Sequence, residues 1–249
     1  MNTWVLVDGL CMGEEIMKVF TLSKELNMPF VGGSAAEYLT FTKPTFVGVD
    51  EKCSSDSLAV IIMKMKIPFF YNHYVQVNPT NTSFVVTKAD PAKRIVWEIN
   101  GEPAAPYYAK LAGVSGVDKL NMNIFMKNPL GIVVGETTYV RSFVGIIEGT
   151  GLQFFCYIEA GTKVFIMKPG DIIDNTRKAL RDAESYIPNV CGAILFNCVV
   201  RYLELQELRK IDAFNSVFSH LNFIGFNAYG EELFTYHNQT LTAIFFGRN

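Results

Sequence analysis

A short apolar segment that turns polar at its end constrains the fold of this chain more than any other feature. Residues 193–196 are apolar and are followed by Asn197 and Cys198. This pattern is typical of a strand buried on both faces, although a buried helical segment would have the same pattern. The next apolar residues are spaced as on one face of an amphipathic helix: Leu205, Leu208, Ile211, Val217, Phe218 and Leu221. Residues 221–224 then read as a second strand. Strand, helix and strand in this order predict a parallel pair whose strand ends open on the same edge.

That edge is a candidate ligand site, because open α/β sheets bind their ligands beyond the carboxyl ends of the strands. The polar residues expected there are Asn197, Cys198, Arg201, Asn227, Tyr229 and Glu231. Gly225 directly follows the second strand, so we expect either a sharp exit or a close approach of another group to its backbone.

The beginning of the chain has a similar pattern. Residues 4–9 run from apolar to polar, and a helical face is predicted from Ile16, Val19, Phe20 and Leu26. The segment MPFVGGSAAEY (28–38) then aligns with LNFIGFNAYGE (221–231) and places Gly33, Ser34 and Glu37 at a corresponding exit. Each segment is followed by an apolar strand, at residues 58–63 and 241–246. We therefore predict an α/β fold with duplicated β-α-β-β units, whose two strand edges face one another across a cleft.

Between these units the sequence predicts an inserted, mainly antiparallel β region with two helical segments. Alternating or β-branched apolar runs indicate the strands, and Asn78-Pro79-Thr80-Asn81 predicts a turn. One short helix is expected to open within residues 100–105, where proline is tolerated in the first turn, and to continue until Gly113. A second is expected to begin at Asp171, a potential N-cap, and to end at Pro188. Its inner face would be lined by Ile173, Thr176, Leu180, Ala183 and Ile187.

Composition limits the class of protein. The chain has 249 residues, 49% of them hydrophobic and 18% charged, which favours a folded globular protein. A net charge of −2 argues against a nucleic-acid partner, and no apolar run reaches the length of a membrane helix. The five cysteines form no C-x-x-C pair, which suits free thiols in a cytoplasmic protein. No metal-ligand spacing or phosphate-binding loop occurs, so neither a metal nor a cofactor is expected.

Several motifs in one order resemble the FIST domain family (F-box and intracellular signal transduction proteins). VLVDGL, PFVGGSAAEY and EINGEPAAPYYAKL resemble the second half of the FIST N module, whereas GAILFNCVVR, GFNAYGEE and YHNQT resemble the FIST C module. The resemblance implies a FIST N-like part at residues 1–112 and a FIST C-like part at residues 113–249. The resemblance also implies that the FIST N module of the family usually contains a further stretch, which lies before the position that corresponds to the start of this chain. Where the family usually has glycine before the arginine, this chain has Val200.

The resemblance implies a cytoplasmic sensory module that binds a small polar ligand, such as an amino acid or a small organic acid. Its partner would be a signalling protein or a fused output domain, and a homo-oligomer is a further expectation. Arg201 could fork onto a ligand carboxylate, or it could form a structural ion pair with Glu231 or Glu204. Either Glu231 or Glu37 could meet a ligand amine, and at least one of them could instead cap a helix or lie on the surface.

The alternative function is a cysteine-dependent enzyme that acts on a small acyl or amide substrate. Cys198 would be its nucleophile and would need a basic partner to form a thiolate. The chain offers His73, His220 and His237, none of them in a recognisable catalytic motif. A single cysteine at a strand end more often packs as a small buried hydrophobe.

Overall fold

A computed structural model describes residues 24–25, 30–37 and 44–248, and the backbone of residues 2–8. The chain forms two compact units: Met1–Gln76 with Asp171–Asn249, and Val77–Gly170. The helical face predicted from Ile16, Val19, Phe20 and Leu26 lies outside the described residues.

The elements of the described residues are as follows, in chain order. The first strands are β1 (Asn2–Asp8), β2 (Phe30–Ala35), β3 (Val47–Val49), β4 (Lys52–Ser54), β5 (Leu58–Met63), β6 (Phe69–Val75), β7 (Val77–Asp90), β8 (Ile95–Ile99) and β9 (Glu102–Pro103). Then come α1 (Ala104–Leu111), a short 3-10 turn (Val117–Lys119), α2 (Met122–Lys127), β10 (Leu130–Val134), β11 (Thr137–Arg141), β12 (Phe143–Ile147), β13 (Gly151–Phe154) and β14 (Lys163–Pro169). The last are α3 (Ile172–Tyr186), β15 (Val190–Cys198), α4 (Val199–Glu207), α5 (Ile211–Val217), β16 (Asn222–Ala228), β17 (Glu231–Leu233), β18 (Thr235–His237) and β19 (Thr240–Gly247).

The first unit contains two larger sheets. One has the strand order β18-β17-β2-β1-β5, and the other has the order β16-β15-β19-β6. In each sheet one pair is parallel, β1 with β2 and β15 with β16, and the other pairs are antiparallel. The parallel pair predicted from the sequence is therefore confirmed. The fold is a mixed α/β fold whose sheets are mostly antiparallel.

Helix α3 covers one face of the four-stranded sheet. The Asp171 carboxylate caps it by accepting hydrogen bonds from the backbone N–H groups of Ile173 (2.7 Å) and Asp174 (2.9 Å), as predicted. The predicted inner face is buried, and Ala179, Leu180 and Ala183 pack in one core cluster with residues of β6, β15 and β19. This packing holds the strands against the helix.

The helix predicted between β15 and β16 is instead two helices. Helix α4 begins directly after Cys198 and ends at Glu207, and α5 begins at Ile211. Arg209 between them has a φ of 55°, which an α-helix cannot contain. Leu208, which the spacing assigned to the buried face, is 49% exposed.

The second unit is an antiparallel sheet with the order β11-β10-β14-β7-β8-β13-β12, and β9 pairs with β8. Its core includes Phe84, Tyr108, Phe125 and Phe143, so α1 and α2 pack against the sheet.

The predicted turn at Asn78–Asn81 is wrong, because β7 runs through Pro79, which pairs with Met167 beside a register shift. The predicted division into a FIST N-like part (1–112) and a FIST C-like part (113–249) refers to sequence modules. The two compact units are defined by packing and do not test this division, which stays a prediction.

Candidate functional site

The two sheets of the first unit approach each other closely at Gly33 of β2. A Cβ atom at this position would lie 2.9 Å from Phe196 Cδ1 and 3.2 Å from both Phe226 Cζ and Ala228 Cβ. Phe196 and Val31 belong to the small core cluster between the sheets. Glycine at residue 33 therefore lets the end of β2 lie against the ends of β15 and β16.

The predicted residues at the ends of β15 and β16 are brought together. Asn197 Nδ2 donates a hydrogen bond to Asn227 Oδ1 at 2.9 Å, and Arg201 Nε donates to Asn197 Oδ1 at 3.1 Å. Asn227 is half-buried, whereas Asn197 and Arg201 are buried. Three of the predicted side chains thus form one chain of hydrogen bonds that runs from the sheet edge into the interior.

Arg201 has only neutral hydrogen-bond acceptors. Besides Asn197, its Nη1 donates to Asn175 Oδ1 and its Nη2 donates to Thr176 Oγ1, both at 3.2 Å. The side chain is fully buried, and this burial lowers the pKa of the guanidinium to about 10. Among the described residues no carboxylate lies within ion-pair distance of it, so neither of the structural ion pairs considered from the sequence forms directly.

Glu231 is a second buried ionisable group of the site. Its Oε2 accepts hydrogen bonds from Thr240 N (3.1 Å) and Thr240 Oγ1 (2.8 Å), while Oε1 has no hydrogen-bond partner among the described residues. Burial raises the pKa of this carboxyl to about 8, and the bonds from Thr240 oppose that shift. Glu231 is therefore mostly protonated at neutral pH.

Cys198 is buried at the N-terminus of α4. Burial raises the pKa of its thiol well above the usual value, and neighbouring Glu231 raises it further. The backbone N–H groups of Val200, Gln239 and Arg201 favour the thiolate but do not offset these effects. The arrangement stabilises a neutral thiol.

The three histidines have contacts elsewhere in the structure. The rings of His73 and His237 stack on each other with centroids 4.2 Å apart. His220 lies on the surface, with Nε2 3.8 Å from Glu184 Oε1.

The remaining predicted residues lie at the end of β2 and along β16. Ser34 Oγ donates to Glu232 Oε1 at 2.7 Å, and Tyr229 OH donates to Glu37 Oε1 at 3.0 Å. Glu37 is half-buried, so it is accessible together with Asn227. The close approach expected at Gly225 comes from Leu195, whose carbonyl oxygen would lie 2.1 Å from an added Cβ.

Sequence reasoning missed three residues of this network: Asn175, Thr176 and Glu232. Thr176 was predicted on the inner face of α3 but was given no role. A signal was available, because a polar side chain on an otherwise apolar helix face needs a buried hydrogen-bond partner. Glu232 is the second of two adjacent carboxylates at the strand end.

An open groove of about 350 Å³ lies in the second unit, and its lining includes none of the predicted site residues. It is lined by Lys88, Trp97, Glu98, Pro103, Glu148 and Thr150. Lys88 Nζ lies 3.6 Å from Glu98 Oε1, and these two residues pair across β7 and β8.

Comparison with known proteins assigns the family. The FIST N domain model matches residues 3–102, and the FIST C domain model matches residues 104–233. The chain belongs to the FIST family. It is also similar to an uncharacterized protein of Methanocaldococcus jannaschii, with 27% identity over an alignment of 270 positions that covers 94% of this chain. The chain spans about half (51%) of the length of that relative.

Among the described residues, no helix combines the length and the apolar composition that a membrane span requires. Within the same residues, no group of three or more His, Cys, Asp or Glu side chains could hold a metal ion.

Proposed function

We propose that this chain is a cytoplasmic sensory module that binds a small polar ligand, an amino acid or a small organic acid, and relays binding to a signalling protein or a fused output domain. FIST domains are associated with sensing in signal transduction, which supports the general role. The observation that carries the ligand class is Arg201, a fully buried guanidinium bonded only to neutral oxygens.

A buried charge without a counter-charge destabilises a fold, and a carboxylate that reaches it offsets the loss of hydration. An acidic ligand could supply this carboxylate. Asn227 is half-buried and bonded to Asn197, which in turn holds Arg201, so a ligand at Asn227 can rearrange the chain of hydrogen bonds. Glu37, which is half-buried, offers a carboxylate for a ligand amine, whereas the buried Glu231 is mostly protonated at neutral pH and offers a neutral carboxyl group. An amino acid, with both charges, fits this combination.

The experiment is a thermal-shift screen with amino acids and small organic acids. We expect a ligand that raises Tm for the unaltered protein, because binding to the folded state alone stabilises it. Arg201→Ala should abolish this shift. Arg177→Ala is the matched control, because Arg177 is an exposed arginine that pairs with Asp174 at 2.9 Å on the surface of α3.

Arg201→Ala could lose its fold, so Asn227→Ala is the second variant. It removes the half-buried end of the hydrogen-bond chain and should reduce the ligand-induced shift while near-UV circular dichroism stays native. Unchanged shifts in both variants, or a screen with no positive compound, would contradict the proposal.

We also propose that two sets of three strands are copies of one unit. The first set is β1, β2 and β5, and the second is β15, β16 and β19. The first strand of each set is central, the second lies parallel on one side, and the third lies antiparallel on the other. The pairs Trp4 with Val31 and Ile194 with Ile224 occupy corresponding register positions. An experimental structure with a different strand order in either set would refute the duplication.

We propose that the chain is not an enzyme. The three backbone N–H groups around Cys198 are the one arrangement that favours the cysteine-dependent alternative. Labelling with a thiol reagent at pH 7 separates the two functions, and exposed Cys53 serves as the internal control. Slow labelling of Cys198 relative to Cys53 agrees with a sensor, whereas labelling at a similar or faster rate favours the enzyme.

A further inference from the structure

The open groove of the second unit, which we call the Trp97 groove, combines an aromatic ring with two carboxylates. Trp97 and Glu98 of β8 line it together with Glu148, which lies in the turn between β12 and β13. Its volume of about 350 Å³ is in the range of sites for small molecules. None of the residues that line it belongs to the candidate site described above, so a ligand of this groove would be a second one.

We propose that the Trp97 groove binds an organic ammonium ion, with the cation against the indole ring and beside the carboxylates of Glu98 and Glu148. The face of an aromatic ring attracts a cation, most strongly for tryptophan, and a carboxylate adds direct electrostatic attraction. The lining contains these two carboxylates and one ammonium group, that of Lys88, so its net charge is negative. Charge complementarity therefore favours a cationic ligand.

A β-bulge brings Trp97 and Glu98 to the same groove. Side chains of successive residues normally point to opposite faces of a strand. Lys88 of β7 pairs with Glu98. The next residue, Ala89, pairs with Val96, so Trp97 is an extra residue in the pairing of β7 with β8. Bulges re-aim side chains and are frequent beside functional sites, which agrees with a lining that includes both residues.

The backbone of β13 holds the indole ring of Trp97 in place. A Cβ atom at Gly151 would lie 2.8 Å from Trp97 Cζ3 and 2.9 Å from Trp97 Cε3, so the ring lies directly against this glycine. Trp97 is half-buried, so part of its surface stays accessible. A side chain that is already fixed loses little conformational entropy when a ligand binds.

The charged groups of the groove are available to a ligand. The ion pair of Lys88 and Glu98 is weak, because its atoms are 3.6 Å apart and 64% and 38% of the two side chains are exposed. Glu148 is exposed, and its side chain has no hydrogen bond or ion pair among the described residues. Its backbone has a φ of 50° in a turn closed by the hydrogen bond from Thr150 N to Ile147 O. A bound cation can therefore pair with Glu148 without breaking an existing contact.

Titration of the intact chain with choline, followed by ¹H–¹⁵N NMR, tests the proposal. The chain contains two tryptophans, so Trp97→Phe identifies which of the two indole N–H signals belongs to Trp97. We expect choline to shift this signal and the backbone amide signals of Glu148 and Thr150. Dimethylbutanol, the analogue of choline in which carbon replaces nitrogen, is the matched control ligand. It should bind at least about fivefold more weakly, because it has the shape of choline without the charge.

Two substitutions test the residues that would hold the cation. Trp97→Leu should weaken choline binding at least about fivefold, because leucine has no aromatic ring. Glu148→Gln should weaken it about threefold at low ionic strength, and it keeps the test valid if Trp97→Leu loses its fold, since Glu148 is exposed. Glu159→Gln is the control for the loss of charge, because Glu159 is an exposed glutamate of the same unit that does not line the groove. Its affinity for choline should be unchanged.

The same titration with the amide of acetyl-lysine distinguishes two sources of the ammonium group. Tighter binding of choline indicates a free small molecule, whereas tighter binding of the lysine derivative indicates a basic side chain of a partner protein, and both results support an ammonium site. Binding of neither compound would overturn the proposal, as would equal affinities for choline and dimethylbutanol. Unchanged affinity in both Trp97→Leu and Glu148→Gln would also overturn it.

Discussion

Glu231 gives the sharpest test of the electrostatics of the site. Its pKa is raised from 4.5 to about 8 in the folded protein, so the folded state binds a proton that the unfolded state has released. The stability that this raised pKa contributes is fully present below pH 4.5 and is lost as the pH rises through about 8. Compared with its value at low pH, the free energy of unfolding should be lower by about 3 kcal/mol at pH 7 and by about 5 kcal/mol above pH 8.

Glu231→Gln removes this dependence and keeps a carbonyl oxygen to accept the two hydrogen bonds from Thr240. We expect the free energy of unfolding of the unaltered protein to fall relative to the variant by up to about 1.4 kcal/mol per pH unit between pH 5 and pH 8. Urea denaturation of both proteins at pH 5, 6, 7 and 8 measures this difference. A difference independent of pH would refute the assignment of a buried, mostly protonated Glu231.

Three further substitutions test the packing around the site, each by urea denaturation. Arg201→Met should destabilise the protein by about 3 kcal/mol, because the loss of the donor to three buried acceptors outweighs the removal of a buried charge; no loss would contradict the network. Gly33→Ala should lower stability by about 2 kcal/mol, because its Cβ would lie 2.9 Å from Phe196 Cδ1. Gly145→Ala is the control for it, since no atom lies within 4 Å of an added Cβ, and equal effects of the two would argue against close sheet packing. Asp171→Ala should remove about 1 kcal/mol by deleting the cap of α3, and an unchanged midpoint would contradict that role.

The sequence predicted those parts of the fold that depend on local pattern. The apolar segment before Asn197 and the one before Gly225 are the parallel strands β15 and β16. The N-cap at Asp171 and the apolar face of α3 were also identifiable, because capping and helical periodicity are local properties.

Two errors arose where tertiary contacts outweigh local preference. Asn78–Asn81 has turn chemistry, but long pairing of β7 with β14 extends it into a strand, and a register shift accommodates Pro79. Arg209 breaks the helix after β15 in a left-handed conformation that no glycine or proline signalled.

The proximity of the candidate site residues could be predicted from the sequence, but their accessibility could not. Strand topology brings Asn197, Arg201 and Asn227 together, as the edge argument requires. Arg201 is bonded to Asn175 and Thr176 of α3, and the second sheet approaches the neighbouring strand ends at Gly33, because that residue lacks a side chain. No periodicity or spacing in one chain reports how closely two sheets pack.

The order of strands in the four-stranded sheet has a consequence for biosynthesis. There β6 pairs with β19 and not with its sequence neighbours, although about 170 residues separate the two strands. During translation β6 is synthesised long before β19, so it has no pairing partner until residues 240–246 have also left the ribosome. A nascent chain that stalls before residue 240 would leave the backbone N–H and C=O groups of β6 without the strand that pairs with them in the folded protein.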